Sequence, residues 1–336
     1  MKFLKGIRFI LWSKSCRRKT EHKPQSLRME IEEEKKRSES SVVKELSWEE
    51  VERLTGNLSE VIGYGGFSTV YLGTSPISSA TPAAFKMQKS SERLDQIFKE
   101  ELNINLRIQH DNIVKLHGYC DCQERKVLVL EYIANGTLQE KLHGNGRERG
   151  PILPWKTRMM IAFQLAQTME YLHDKCGLGL VHHDLKSSNI LLDENFNCKL
   201  CDFGSAKQGI SSLFPSRKQV MLGSPGYIDP NYLITGVASK KNDIYSFGVL
   251  LLELVTGIEA FELEGTLMGT SLKDESIFVA EAVDPVLRGN FSLDEAKCMV
   301  SISQHCRHLV PDLRPSAAEI IQTMKQRVPA ISFFCK

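Results

Sequence analysis

The stretch VHHDLKSSNILLD at residues 181–193, with KLCDFGSAK at residues 199–207 just after it, decides the fold and the chemistry of this chain. The two stretches place a small set of polar side chains in a fixed order: Asp184, Lys186, Asn189 and Asp202. Short apolar runs follow or precede each of them, which is typical of loops at the ends of hairpin strands. A polar loop between two such strands would explain one aspartate, but not this ordered group.

These residue types suit the transfer of a phosphoryl group, which needs positioning and charge neutralisation more than covalent chemistry. Asp184 can accept the proton of an attacking hydroxyl, and Lys186 can hold the transferred phosphate. Asn189 and Asp202 can supply oxygen ligands to Mg²⁺, which prefers a few such ligands beside water and phosphate. We therefore predict a phosphoryl-transfer site in this part of the chain.

A glycine-rich stretch upstream, IGYGGFSTVYLG at residues 62–73, fits the same chemistry. Gly63, Gly65 and Gly66 would let backbone N–H groups approach a phosphate with no Cβ in the way. The loop leads into a strand-like run and not into a helix, so a dinucleotide-binding fold does not fit. Soon afterwards Lys86 ends an apolar strand, where its ammonium could reach phosphate oxygens.

The periodicity of the sequence changes along the chain. Residues 58–126 show short strand-like runs and turns around one helical stretch near residues 91–108. After Pro154 the pattern is mostly helical, with apolar residues recurring on one face and a buried helix through Phe247–Val255. We therefore predict an α+β fold of two lobes, a small β-rich one and a larger helical one, with a cleft between them.

Composition excludes several classes of protein. The chain has 336 residues, 42% hydrophobic and 25% charged, as in an ordinary globular protein. We find no run near the roughly 20 apolar residues that span a bilayer. Its 9 cysteines show no regular framework, which suits a reducing compartment. Residues 1–23 carry eight Lys/Arg and one acid, so the remainder holds 35 Lys/Arg against 40 Asp/Glu, and no nucleic-acid partner is expected.

The first 23 residues, beginning MKFLKGIRFILWSKSCRRK, combine basic and apolar side chains. We interpret them as an anchor for an anionic membrane surface, with Cys16 as a candidate for acylation. A solvated basic tail and an organellar transit peptide remain alternatives. Ser47 and Glu50 form a capping box that predicts a short helix from Trp48. We predict a basic N-terminal segment at residues 1–23, a flexible linker at 24–46, a folded domain at 47–326 and a tail at 327–336. Within the folded domain, the small lobe covers about residues 57–130 and the large lobe about residues 134–326.

Over about residues 47–326 the sequence resembles the protein kinase family, and within it the plant receptor-like and interleukin-receptor-associated group. Further motifs carry this resemblance: FKEEL at residues 98–102, VLVLEYIANGTLQEKLH at 127–143, GSPGYIDPNY at 223–232, KNDIYSFGVLLLEL at 241–254 and VPDLRPSAAEII at 310–321. The resemblance implies ATP and Mg²⁺ as cofactors, with Asp184 and Lys186 catalytic and with Asn189 and Asp202 as Mg²⁺ ligands. It also implies an ATP site formed by Ile62, Gly63, Gly65, Gly66, Val70, Ala84, Lys86, Glu101, Leu130, Glu131, Ile133 and Leu191.

Four residues depart from the family pattern. Ser68 replaces the third glycine of the loop, and His183 stands where most active members have arginine before the catalytic aspartate. Asn105 occupies a usually apolar position one turn after Glu101. Asn231 stands where a glutamate normally pairs with Arg314, so we expect that arginine to lack its carboxylate.

The sequence therefore predicts a serine/threonine protein kinase that acts on protein substrates. The stretch DLKSSN, with its Lys186, resembles the same loop in serine/threonine kinases. By resemblance to receptor-like cytoplasmic kinases, we expect a membrane receptor kinase as partner and a cytoplasmic location at the periphery of the plasma membrane. The alternative is a pseudokinase, or a weakly active scaffold that docks to a receptor kinase; Asn105 and Asn231 favour it.

Overall fold

The computed structural model describes residues 43–122, 125–144, 151–208, 223–262 and 275–334, with the backbone alone for 275–278 and 333–334. The predicted N-terminal segment, with Cys16, and the predicted linker up to residue 42 lie outside the described residues. Among the residues that are described, no helix is long and apolar enough to cross a membrane.

The small lobe is a six-stranded sheet in the order β1-β5-β6-β4-β3-β2. All neighbouring strands are antiparallel except β1 and β5, which are parallel. The strands are β1 (Lys44–Glu45), β2 (Val61–Tyr64), β3 (Ser68–Thr74), β4 (Pro82–Gln88), β5 (Leu116–Cys122) and β6 (Arg125–Glu131). The glycine-rich loop is the turn between β2 and β3, as the sequence predicts.

Two helices accompany this sheet: α1 (Trp48–Leu54) and α2 (Glu92–Asn105). The capping box of Ser47 and Glu50 is present at the start of α1, which confirms that prediction. In α2, Phe98 and Leu102 are four residues apart and therefore share a face, which packs with Leu116 and Leu128 of the sheet. Burial of this face fixes the helix against the sheet.

The predicted linker is wrong at its C-terminal end, because residues 43–46 belong to the folded domain. β1 pairs with β5, and Leu46 is buried beside Val51 of α1 against the outer face of the sheet. A Cβ on Gly118 would lie 2.7 Å from the Lys44 carbonyl oxygen, so only glycine allows this close approach.

The large lobe is built from helices α3 (Leu138–His143), α4 (Trp155–Glu170), α5 (Pro230–Thr235), α6 (Lys240–Thr256), α7 (Glu275–Ala282), α8 (Leu293–Cys306) and α9 (Ala317–Arg327). A π-helical turn, Tyr171–Lys175, extends α4. Ile161, Leu165, Met169 and Leu172 are all buried in the core of this lobe, as their spacing predicts. The predicted buried helix through Phe247–Val255 is the greater part of α6, and all of it is buried.

Two short antiparallel sheets follow α4 along the chain, one of β7 (Leu180–Val181) with β10 (Lys207–Gln208) and one of β8 (Ile190–Leu192) with β9 (Cys198–Leu200). The predicted α+β fold with two lobes is confirmed. The predicted tail is wrong as a separate element, because Val328 and Ile331 are buried in the core of the large lobe. The 3-10 turn Pro329–Phe334 holds this segment there, and the Ala330 N–H donates to Glu295 Oε1 at 2.7 Å.

Candidate active site

A cleft of about 770 Å³ lies between the two lobes. Most of the residues that the sequence suggests for ATP and metal line it: Ile62, Gly63, Gly65, Val70, Ala84, Lys86, Leu130, Glu131, Ile133, Asn189, Leu191 and Asp202. The remaining suggested residues are not among its lining residues. Gly66 has open space around its Cβ position, and Glu101 lies directly behind Lys86.

Lys86, Glu101 and Asp202 form a charged cluster at the back of the cleft. Lys86 Nζ donates to Glu101 Oε1 at 2.8 Å and Oε2 at 3.0 Å, and to Asp202 Oδ1 at 2.8 Å. The Glu101 side chain is 4% exposed, whereas that of Asp202 is 44% exposed. The cluster is therefore sealed on the helix side and open on the cleft side.

Electrostatics keep Lys86 and Asp202 of this cluster charged. Burial alone would lower the pKa of Lys86, but the Asp202 and Glu101 carboxylates outweigh it and raise the pKa above its usual value. Lys86 in turn lowers the pKa of Asp202 to about 2. Burial raises the pKa of Glu101 above its usual value, opposed by Lys86. Asp202 is thus ionised at neutral pH and ready to bind a cation.

Asp184, Lys186 and Ser224 form a second cluster on the large-lobe side. Ser224 Oγ donates to Asp184 Oδ1 at 2.8 Å and accepts from Lys186 Nζ at 2.8 Å. Lys186 Nζ lies 2.9 Å from Asp184 Oδ2, which closes a triangle. Asn189 Nδ2 donates to the Asp184 carbonyl at 2.8 Å and to its Oδ2 at 3.0 Å. Asp184 is therefore held by three neighbours in one orientation.

Asn189 and Asp202 fit the donor set that a divalent cation requires. The Asn189 amide uses its nitrogen on Asp184, so its side-chain oxygen stays available as a ligand. Asp202 offers an ionised carboxylate that faces the cleft. A carboxylate and an amide oxygen are hard ligands of the kind that bind Mg²⁺.

Comparison with known proteins agrees with this geometry. The sequence model of the protein kinase domain family matches residues 57–324 of this chain. A probable receptor-like protein kinase of Arabidopsis thaliana is 47% identical over 310 residues, 85% of this chain and 89% of the relative. Salt tolerance receptor-like cytoplasmic kinase 1 of Oryza sativa subsp. japonica is 45% identical over 300 residues, 86% of this chain and 82% of the relative. A probable LRR receptor-like serine/threonine-protein kinase of Arabidopsis thaliana is 35% identical over 290 residues, 84% of this chain and 32% of the relative.

This chain belongs to the protein kinase family. Within the family it groups with the receptor-like cytoplasmic kinases, as the resemblance of its motifs implies. It is an ATP-dependent protein kinase, a class of enzyme that uses ATP and a divalent metal.

A buried carboxylate beneath the cleft fixes the backbone of the catalytic loop of this kinase. Asp243 of α6 accepts from the His182 N–H at 2.8 Å and from the His183 N–H at 2.9 Å. His173 Nε2 lies 2.9 Å from the same carboxylate. The His182 ring packs edge-on against Phe203, with 5.0 Å between ring centroids. Asp243 therefore holds this loop through the backbone N–H groups of His182 and His183.

His183 is a buried histidine in an unusual backbone conformation. Its φ is +67°, in the left-handed region, and it is 8% exposed. Among the described residues, Nε2 finds no hydrogen-bond partner, and the ring lies against Tyr232 at 5.6 Å between centroids. Burial lowers the pKa of His183, opposed by Asp243. The ring is therefore neutral at physiological pH, unlike the arginine it replaces.

The expectation that Arg314 lacks a carboxylate is wrong. Its Nη1 donates to Asp229 Oδ2 at 2.6 Å and its Nη2 to Asp229 Oδ1 at 2.8 Å, and both side chains are sealed from solvent. Asp229 also accepts from Asn242 and caps α5 at the Asn231 N–H. The carboxylate that pairs with Arg314 therefore belongs to Asp229, two residues before the family's usual glutamate position at Asn231. The Asn105 amide, meanwhile, donates to the Glu101 carbonyl at 2.9 Å.

Sequence reasoning missed several residues of the site. Val114 lines the cleft, although nothing in its apolar surroundings marks it. Cys201 lines it too, as its place directly before Asp202 suggests, and burial raises the pKa of its thiol to about 12. His143 also lines the cleft, from the last turn of α3. Its partner Glu253 is 110 residues away, so no local pattern could have found the contact.

Proposed function

We propose that this kinase transfers the γ-phosphate of ATP to serine and threonine hydroxyls of protein substrates. The observation that carries the proposal is the closed triangle of Asp184, Lys186 and Ser224. It places a base and a cation side by side, and the base accepts from Asn189, which lines the cleft. The name of one relative, a serine/threonine-protein kinase, supports the choice of hydroxyl.

Asp184 is the residue that receives the proton of the attacking hydroxyl. Its carboxylate is kept in place by Asn189 and Ser224, so a substrate hydroxyl meets an acceptor of fixed direction. Lys186 Nζ lies next to the acceptor and neutralises charge on the phosphate as it is transferred. Positioning and neutralisation are the two contributions that phosphoryl transfer needs.

Lys86 and the hinge, the segment Leu130–Ile133 between the two lobes, hold the nucleotide. Lys86 is oriented by Glu101 and can direct its ammonium to phosphate oxygens when ATP enters. Val70, Ala84 and Leu191 line the cleft around the adenine, and Leu130–Ile133 provides backbone groups at its edge. Asn189 and Asp202 would hold Mg²⁺, which supplies positive charge to the phosphates. Ile62, Gly63 and Gly65 line the same cleft and would cover the phosphates.

The test is autophosphorylation of the purified full chain with Mg-ATP, beside its Asp184→Asn variant. We expect incorporation of phosphate on serine and threonine by the parent and background incorporation by the variant. Equal background signal from both chains would favour the scaffold. In the sequence, Asn231 and Asn105 favour a weakly active scaffold. Arg314 nevertheless has a carboxylate partner in Asp229. The Asn105 amide donates to a backbone carbonyl and leaves the Lys86–Glu101 pair intact.

We also propose that the kinase works at the cytoplasmic face of the plasma membrane, downstream of a receptor kinase. The basis is the charge of +7 and the aromatic residues within residues 1–23. Basic charge and one acyl chain each bind weakly, and together they anchor stably. Deletion of residues 1–23 should release the protein from vesicles that contain phosphatidylserine. Cys16→Ser should weaken membrane association in cells only partly. A full chain that ignores such vesicles would contradict the proposal.

A further inference from the structure

Glu253 of α6 is a buried carboxylate that lies below the catalytic loop but takes no part in the reaction described above. It is 1% exposed, and its two oxygens have three neighbours. Tyr227 OH donates to Oε2 at 2.6 Å, Ser187 Oγ donates to Oε1 at 3.3 Å, and His143 Nε2 lies 3.1 Å from Oε1. Each neighbour comes from a different part of the site.

Ser187 directly follows Lys186 in the catalytic loop. Besides its contact with Glu253, its N–H donates to Tyr227 OH at 3.4 Å, and its hydroxyl lies 2.9 Å from the same oxygen. Tyr227 stands three residues after Ser224, the residue that bridges Asp184 and Lys186. Glu253 therefore ties down both chain segments that meet at the triangle.

His143 ends α3, the helix that follows the hinge, and its side chain is 6% exposed. An ionised carboxylate can only accept a hydrogen bond, so the proton of this contact sits on Nε2 of the ring. Within the described ranges, His143 is the sole basic side chain at ion-pair distance from Glu253. A buried carboxylate is costly unless its oxygens are hydrogen-bonded, so the contact with His143 Nε2 stabilises this buried side chain.

We propose that His143 and Glu253 are positioning residues for phosphoryl transfer. His143 stabilises the buried carboxylate, and the carboxylate holds Ser187 and Tyr227, which fix the lysine and the serine of the triangle. The nucleotide side of the cleft is thereby connected to the hydroxyl-accepting side through one carboxylate. The proposal rests on the phosphotransfer proposed above and adds residues that touch neither ATP nor the substrate hydroxyl in that scheme.

The experiment is a double-mutant cycle on the full chain with His143→Phe, Glu253→Gln and the pair, with casein as phosphate acceptor. A neutral amide at position 253 does not need the histidine. We therefore expect His143→Phe to lower kcat about tenfold in the parent and less than about twofold in the Glu253→Gln background. An equal fold-loss in both backgrounds, or no loss in the parent, would overturn the proposal.

A second readout does not depend on catalysis. Hydrogen exchange of the catalytic-loop amides should speed up in His143→Phe and return toward the value of Glu253→Gln in the pair. If the parent chain phosphorylates neither itself nor casein, the proposed function fails, while the exchange cycle still decides whether this network holds the loop. Unchanged exchange in His143→Phe would overturn the positioning role.

Controls separate positioning from general damage. Glu295→Gln alters another buried glutamate, which accepts from Trp155 Nε1 and the Ala330 N–H far from the loop, and should leave kcat unchanged. If His143→Phe does not fold, Tyr227→Phe removes a single hydroxyl and enters the same cycle. Tyr227→Phe with the kcat of the parent would overturn the proposal.

Discussion

Charged groups that face the cleft and charged groups sealed beneath it are arranged differently. In the cleft, Lys86 and Asp202 contact each other, yet Asp202 keeps 44% of its side chain exposed. Beneath it, Arg314 and Asp229 form a two-pronged pair that is 1% and 0% exposed. The first arrangement can exchange a partner for a ligand, whereas the second cannot. The difference teaches that access, and not pairing itself, separates a functional ion pair from a structural one.

The largest expected effect comes from Asp184→Asn in the catalytic loop beside the cleft. Loss of the proton acceptor should lower kcat about 10²- to 10⁴-fold. Affinity for Mg-ATP should stay within about twofold of the parent, because Asp184 acts on the incoming hydroxyl. Asp202→Ala should instead weaken binding of Mg-ATP, since it removes a direct metal ligand. Isothermal titration of each variant with a non-hydrolysable ATP analogue checks this, and equal losses of affinity would contradict the division of roles.

Asp229→Ala tests the sealed pair. It leaves Arg314 buried without a carboxylate, so the free energy of unfolding should fall by about 3–5 kcal/mol. Activity per folded molecule at low temperature should change much less. Asn231→Glu is the matched control: because Arg314 is already satisfied, the extra carboxylate should not raise the melting temperature. A clear rise would show that Asp229 does not replace the usual glutamate.

Ser224→Ala removes the hydroxyl that joins Asp184 to Lys186. Hydrogen bonds to charged groups are worth about 1.5–3 kcal/mol, so kcat should fall on the order of 10- to 100-fold. Ser224→Thr keeps the hydroxyl and should retain most of the activity. In kinases with arginine at the position of His183, a phosphate on the following loop pairs with that cation and orders the loop. Because the His183 ring is neutral, alanine at the serines of this loop should change kcat modestly. These serines are Ser205, and Ser211, Ser212 and Ser216, which lie outside the described residues. A large loss from these four serines would mean that the loop is controlled by phosphate despite His183.

The smallest effect concerns His183, which is buried and whose Nε2 has no hydrogen-bond partner in the part of the chain that the structure describes. Its pKa in the folded protein is lowered, so below about pH 6.5 the unfolded chain binds a proton that the folded one does not. Stability should therefore fall as pH decreases from 7 to 5, by at most about 1.4 kcal/mol per pH unit from this group. Denaturant unfolding of His183→Gln should show a weaker pH dependence than the parent. The exposed His305→Gln should follow the parent.

Local patterns in the sequence were enough for the catalytic loop. Asp184, Lys186 and Asn189 lie within six residues, so one turn of chain brings them together. The glycine-rich loop and the amphipathic helices were equally accessible, because their signals are glycines and apolar periodicity.

Contacts between distant segments escaped prediction. Asp229 and Arg314 are 85 residues apart, and the usual glutamate position holds an amide, so the sequence suggested an unpaired arginine. The pairing of β1 with β5 joins residues more than 70 positions apart through backbone atoms, which carry no side-chain pattern. Such contacts are fixed by packing in three dimensions and not by local propensity.

The pairing of β1 has a consequence for how this catalytic unit can be moved between proteins. The family domain begins at residue 57, yet Leu46 and Val51 cover Phe85 and Cys120 on the outer face of the sheet. A fragment that begins at residue 57 would expose this apolar face of the sheet to water, and we expect it to self-associate. The smallest fragment with a complete small lobe therefore starts at residue 43. A gene fusion or an expression vector that encodes only the family domain would lack β1 and α1, and its small lobe would be incomplete.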